Sequence, residues 1–264
     1  MKTISVILPV YNADNTLGEA IESLKKQDFP NFECLIVNDA STDKTGQILK
    51  RFSDKRFHSI TNKKRLGLTA SLNIGLEKTT APFIARMDAD DIALPHRFSR
   101  QLNYLTKDEN LALVGSWVEC IDSQGEKISE RHYPTSYTEI RNVIMQFTPF
   151  IHPSVMIRRE VLDRVGYYDE ELDGAEDYDL FLRIAKDYKV ENIPEILLRY
   201  RIAETSVSWR EMKKTEIAAI RARLKALTHY HYPLWQAVYL VKPVLSFLVP
   251  TALKREILSH TFSS

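Results

Sequence analysis

Residues 83–91 read Phe83-Ile84-Ala85-Arg86-Met87-Asp88-Ala89-Asp90-Asp91, an apolar strand-like run that ends in carboxylates. The segments before it follow a related pattern. Ile4–Val10 is rich in β-branched residues and reads as a buried strand, Phe32–Asn38 as a second, Phe57–Thr61 as a third and Pro82–Met87 as the fourth. Between them, Thr16-Leu17-Gly18-Glu19 has the form of a capping box, followed by helical spacing at Leu17, Ala20, Ile21 and Leu24. Ser41–Phe52, capped near Ser41 or Asp43, and Leu68–Lys78 supply two more helices. This alternation, sustained to about residue 105, predicts an α/β fold with a mostly parallel, doubly wound sheet. Ligands of such sheets sit beyond the carboxyl ends of the strands.

After residue 110 the pattern changes. Leu111–Ile121 and Lys127–Tyr133 flank a hairpin turn at 122–126, Ser154–Arg158 and Val190–Tyr200 read as strands, and Glu176–Lys186 as an amphipathic helix. These pieces complete the same sheet in antiparallel fashion. Residues 210–230 predict a helix with Ile217, Ile220, Leu224 and Leu227 as its apolar stripe. The apolar stretch that continues to Leu253 is interrupted by Lys242, Pro243 and Pro250, too often for a span of about 20 residues.

Composition narrows the class. With 44% hydrophobic and 27% charged residues, the chain is neither disordered nor fibrous. Cys34 and Cys120 have no zinc-ligand spacing and lie in apolar runs, as buried thiols in a reducing compartment would. The start, Met1 to Val6, lacks the regions of a signal peptide and reads as a strand, so a cytoplasmic location is expected. Residues 210–264 carry 9 Lys/Arg against 3 Asp/Glu, and the other 209 carry 27 against 32. A slightly acidic body argues against a nucleic-acid partner. The basic, aromatic tail reads either as helices packed on the core or on a second subunit of a homodimer, or as an interfacial element on the inner face of the plasma membrane.

No G-x-G-x-x-G, P-loop or G-x-S-x-G motif is present. Chemistry is instead suggested by acidic residues at strand ends. On an extended backbone Asp88 and Asp90 point the same way and can share a cation, with Asp91 directed elsewhere. Magnesium or manganese held this way keeps open positions for diphosphate oxygens; a polar strand end is the alternative. Asp39, at the end of the second strand, can accept hydrogen bonds from a base or ribose, or can be a simple helix cap. Glu176-Asp177 opens a helix, as caps or as a general base. Lys63-Lys64-Arg65-Leu66-Gly67-Leu68 is a phosphate-binding loop or a solvated charge run. His152, before Pro153-Ser154, is structural or catalytic.

The order of these pieces carries more than any one of them. Ile7-Leu8-Pro9-Val10-Tyr11-Asn12, Asn38-Asp39-Ala40-Ser41-Thr42-Asp43, Asp88-Ala89-Asp90-Asp91 and Glu176-Asp177 together resemble the family-2 glycosyltransferases of GT-A fold, over about three quarters of the chain. The resemblance implies residues 1–209 as a GT-A transferase domain and 210–264 as a helical extension that contacts membrane or subunit. It implies inverting transfer of a sugar from a nucleotide diphosphate donor, a UDP-sugar, to a glycan or lipid-linked acceptor in bacterial surface polysaccharide synthesis. Pro9, Tyr11 and Asn12 would lie at the nucleoside, Asp39 at the base, and Arg65 near the nucleotide. Asp88 would hold ribose or the metal side, Asp90 the Mn2+ or Mg2+ ion. Asp177 would be the base, Glu176 would orient the acceptor, and His152 would stand on the acceptor side. Many relatives carry Arg-x-His after the last strand; here Arg201-Ile202-Ala203 ends in a residue that cannot ligate, so water or a neighbour fills that place or metal binds more weakly. A nucleotidyltransferase on the same sheet lacks its Gly-rich basic loop here. A non-catalytic nucleotide-sugar-binding protein is disfavoured by the intact Glu176-Asp177 pair.

Overall fold

The structure, a computed structural model, describes residues 2–202 and 212–248. Its nine-stranded sheet is built from β1 (Ile4–Val10), β2 (Phe32–Asn38), β3 (Phe57–Thr61), β4 (Phe83–Arg86), β5 (Ile92–Ala93), β6 (Leu111–Ile121), β7 (Lys127–Arg131), β8 (Met156–Arg158) and β9 (Lys189–Arg201). The strand order is β3-β2-β1-β4-β8-β6-β9-β5. The β3-β2-β1-β4 half is parallel, as the alternating sequence implies. Pairing turns antiparallel at β4–β8 and β8–β6, and becomes parallel again at β6–β9. One edge of the long strand β6 is shared, Leu113–Val114 pairing with β8 and Val118–Ile121 with β7.

The helices are α1 (Leu17–Lys25), α2 (Thr45–Arg51), α3 (Leu68–Glu77), α4 (Arg97–Lys107), α5 (Tyr137–Val143), α6 (Arg159–Val165), α7 (Glu176–Asp187), α8 (Met212–Thr228) and α9 (Val241–Leu248). β1 is buried along its whole length because both of its faces are covered. Val6, Leu8 and Val10 point into one apolar cluster with Leu17, Ile21 and Phe98 of α1 and α4. Ile7 points into the other, with Leu72 and Leu76 of α3 and Phe181 of α7. α3 lies so close to β1 that a Cβ on Gly75 would stand 2.6 Å from the Ile7 side chain, so glycine is required there. Cys34 and Cys120 are buried free thiols.

Three local expectations fail for identifiable reasons. Thr16 makes no side-chain cap, and Glu19, the other half of the expected box, accepts a hydrogen bond from Arg201, far away in sequence. The true capping box is Ser136 with Glu139, at the start of α5. α2 begins only at Thr45, later than expected, because Ser41 and Asp43 Oδ2 tie the β2 loop to the β1 loop by accepting from the amides of Asn12 and Asp14, while Asp43 Oδ1 accepts from the Thr45 amide at 2.9 Å. On α8, Ile217 and Leu224 are exposed, and the buried face is Ala218, Ala222, Ala226 and Leu227. Small residues let α8 approach α7 closely, so the packing stripe is not the most hydrophobic one.

α8 is also clamped to the body by polar contacts. Arg223 donates to the carbonyls of Met145 and Gln146, and its guanidinium lies 4.7 Å from the Tyr178 ring centre. Lys214 pairs with Asp173 and Lys225 with Asp169, in the segment just before α7. Among the described residues no helix is long and apolar enough to cross a membrane.

Candidate active site

The parallel register sets the floor of the site. Val10 lies beside Asn38 and Ile7 beside Arg86, so the segments after β1, β2 and β4 emerge at one edge. Tyr11 and Asn12 follow β1, and Asp39 follows β2. Asp39 is buried, and its carboxylate accepts from Asn62 Nδ2 and the amides of Leu66 and Gly67, each at 2.8 Å. It therefore fastens the basic 63–67 loop onto the sheet, which leaves about one of its four lone-pair sites for a ligand. The loop brings Arg65 over Tyr11, with the guanidinium carbon 4.1 Å from the ring centre. Asn12, at φ 50°, uses its Oδ1 to accept from the Thr42 amide at 2.8 Å. Pro9 is buried inside β1 opposite Val37, so it shapes the sheet beneath the site and lines no open surface.

The acidic cluster differs from its expected geometry. One carboxylate oxygen from each of Asp88, Asp90 and Asp91 lies within 4.8 Å of the others. The strand ends at Arg86, and residues 89–90 form a turn, so the two-residue alternation of an extended chain does not apply. Asp91 is consequently drawn in rather than directed away. Its Oδ1 accepts from the Arg201 amide at 2.9 Å, while its Oδ2 is buried with no hydrogen-bond partner. Burial and the Asp88 charge push Asp90 up to about 6, and Asp91 is also raised. Three crowded carboxylates, one of which carries a buried oxygen with no hydrogen-bond partner, suit a hard divalent cation, which would supply the missing countercharge.

Arg201 holds this corner together. It donates to the Asp90 and Asp122 carbonyls, each at 2.8 Å, and to Glu19 at 2.7 Å. Ala203, where the resemblance places a histidine, lies outside the described residues.

Opposite the acidic cluster, the N-terminus of α7 presents the second carboxylate pair. Gly174 reaches φ 97°, which frees its amide to donate to Glu176 Oε2 at 2.7 Å. Glu176 is buried, and burial with the neighbouring Asp177 charge pushes it up to about 7. Asp177 keeps a quarter of its side chain exposed. Its Oδ1 accepts from the Tyr178 amide at 2.7 Å, and burial raises its pKa against the opposing pull of Arg86. His152, expected on the acceptor side, is buried against Asp177, with Nδ1 4.0 Å from Oδ2.

Arg86 was not foreseen as a site residue. Its Nη1 lies 2.5 Å from Asp88 Oδ2, and its buried Nε has no acceptor among the described residues. Its charge acts on Asp88, Asp90, Asp91 and Asp177 alike. The sequence signal was an arginine placed between apolar residues just before the carboxylates. With both clusters facing this one cation, the site can bind a diphosphate on one side and remove a proton on the other.

Known proteins resemble the chain in sequence and in fold. The family model for glycosyl transferase family 2 matches residues 5–166. An uncharacterized glycosyltransferase of Methanocaldococcus jannaschii is 32% identical over 259 residues, 94% of this chain and 89% of the relative. The O-antigen biosynthesis glycosyltransferase WbnJ of Escherichia coli is 30% identical over 229 residues, 83% of this chain and 87% of its own. S. aureus TarS 1-349, solved in complex with UDP, superposes with a TM-score of 0.70 at 20% identity, over 92% of this chain and 71% of that one. Mannosyltransferase PcManGT from Pyrobaculum calidifontis, solved with GDP-Man and Mn2+, gives 0.64 at 18% identity, over 99% and 81%.

Proposed function

The chain belongs to glycosyl transferase family 2 and has the GT-A fold, and from that premise we propose which glycosyl transfer it performs and with which residues. As a glycosyltransferase, it moves a sugar from a nucleotide diphosphate donor, which we read as UDP-linked, to a hydroxyl of a glycan or lipid-linked acceptor in bacterial surface polysaccharide synthesis. The observation that carries the mechanism is Arg86, whose charge reaches both the Asp88–Asp91 cluster and Asp177. Tyr11 and Arg65, stacked on each other, lie at the nucleoside, and Asp39 holds the 63–67 loop in place and offers its remaining lone pair to the base.

Asp88, Asp90 and Asp91 are the residues that would hold a divalent cation, manganese or magnesium, which when bound neutralises charge building on the departing diphosphate. Asp177 accepts the acceptor hydroxyl's proton as its oxygen bonds to the anomeric carbon. The bond from that carbon to the diphosphate breaks on the opposite face, and its electron pair leaves with the nucleotide. One base on one face gives inversion without a covalent intermediate. Glu176, tied to Gly174, backs Asp177.

The expected result of a thermal-shift series with UDP, GDP, dTDP and CDP, each with and without manganese, is a rise with UDP that needs the metal. A nucleotide at about 100 times its dissociation constant adds roughly 2.7 kcal/mol of stability. A shift confined to another nucleotide would overturn the UDP reading, and no shift with any would overturn the site.

Residues 210–264 are proposed as the extension that meets the acceptor's membrane, with the transfer unit in 1–209. Leu234 and Trp235 are 76% and 66% exposed, and Val238, Val241 and Leu245 continue that apolar row, within a segment, 210–264, that has six excess positive charges. The double variant Leu234→Glu, Val238→Glu is expected to sediment several-fold less with vesicles of anionic phospholipid, at unchanged nucleotide-induced thermal shift. Equal sedimentation of both proteins would refute the lipid contact; loss of a dimer in the variant would assign the row to a second copy.

A further inference from the structure

Behind Asp177 stands a buried His152–Tyr168 pair whose geometry is more specific than packing needs. His152 opens the short 3₁₀ turn His152–Ser154 that leads into β8. Its Nε2 lies 2.8 Å from the Tyr168 hydroxyl, and its Nδ1 faces Asp177 Oδ2 at 4.0 Å. The imidazole is wedged between the rings of Tyr168 and Phe181, at 5.4 and 6.0 Å between centres. Tyr168 is itself fixed by Asn73, which accepts from its amide at 3.1 Å and donates to its carbonyl at 2.9 Å.

These contacts select one tautomer. Burial keeps the Tyr168 hydroxyl protonated, and among the described residues its proton has no acceptor other than His152 Nε2. The imidazole hydrogen therefore sits on Nδ1, facing the carboxylate. The other tautomer would strand the tyrosine proton and set a lone pair against a negative charge. Burial and the Arg86 charge hold the ring neutral, so it does not compete for the proton that Asp177 takes.

We propose that His152 is a positioning residue for transfer, its Nδ1–H steadying Asp177 Oδ2 while the Tyr178 amide holds Oδ1. The two donors fix the carboxylate plane and leave its free lone pairs for the acceptor hydroxyl. Catalytic contacts of this kind are long in the ligand-free state and tighten in the complex. The proposal rests on Asp177 being the base.

Two substitutions in the full chain separate orientation from packing. His152→Asn keeps an N–H near the Nδ1 position and gives up Tyr168. His152→Gln reaches Tyr168 and leaves Asp177 without its donor. His152→Gln is expected to lower kcat about tenfold or more, the scale of losing a supporting hydrogen bond, with donor KM unchanged. His152→Asn is expected to recover most of that loss. Equal losses in both variants, with lowered Tm, would show a packing role only; wild-type kcat in His152→Gln would likewise overturn the proposal. Asp177→Asn, assayed alongside, separates the two claims. If it transfers normally, the base reading fails; if it is inactive while His152→Gln is normal, only the positioning role fails.

Discussion

Asp177→Asn is expected to lower kcat by about 10²–10⁴-fold, the range supplied by a positioned general base, and to leave nucleotide binding intact. Asparagine has the same size and can still accept the Tyr178 amide through its oxygen, so the local fold survives. What it loses is the basic lone pair. Glu176 cannot take over, because it is buried and turned back onto the Gly174 amide. Initial rates with donor and acceptor, read beside UDP binding, check both halves. Loss of transfer and binding together would refute the base assignment.

The same residue sets the pH behaviour. Burial raises both Asp177 and Glu176 above ordinary carboxylates, Glu176 to about 7. A base works only when ionised, so kcat/KM is expected to fall as pH drops, with an acid limb well above the exposed-carboxylate value of about 4. The stability sign is opposite. A carboxylate raised on folding stabilises most below its unfolded pKa, and that contribution is lost as pH rises through the folded value. Asp177→Asn, which cannot ionise, is therefore expected to keep or raise Tm at pH 8. An inactive variant with raised Tm separates catalytic loss from misfolding.

The parallel half of the sheet was legible because its signal is local. β1, β2 and β4 are short, mostly apolar runs between helical repeats, and a carboxylate after such a strand stands at the sheet's carboxyl edge. What could not be read depends on partners distant in sequence. Arg86 stands out as an arginine in an apolar run, but its role depends on Asp88 beside it and on Asp177 of α7, 91 positions further on. Glu19 matches a capping box by spacing, yet pairs with Arg201, 182 residues away. The buried face of α8 is written in alanines, whereas a hydrophobic stripe is sought among larger side chains. Asp91 was excluded from the cluster because alternation holds for strands, and the chain had already turned. His152 could be singled out but not assigned, since the partners that bear on it, Tyr168 and Asp177, follow it by 16 and 25 positions.

Asp90→Ala is expected to reduce UDP binding in manganese to the level seen in EDTA, a loss of about 3 kcal/mol or roughly 10²-fold. Without a cation, Asp90 stands at about 6 because burial and Asp88 oppose its ionisation, and Asp91 is raised for the same reasons. A divalent ion reverses that balance, since its ligands must be deprotonated, so binding releases protons and weakens as pH falls below about 6. Asp90→Ala removes one carboxylate and relieves the crowding at once, so the apoprotein is expected to be no less stable than wild type while the metal-dependent Tm increment disappears. That pairing distinguishes a ligand from a structural acid. Asp91 supplies the control within the cluster, because its Oδ1 is committed to the Arg201 amide and only Oδ2 is unpartnered. Asp91→Asn keeps its oxygen on the Arg201 amide and sets an NH2 group where Oδ2 stood, so it should weaken metal-dependent binding as Asp90→Ala does while the Arg201 contact survives. Equal UDP affinity in wild type and Asp90→Ala, with manganese and with EDTA, would remove the cation from this corner and leave Arg86 as the countercharge for the departing diphosphate.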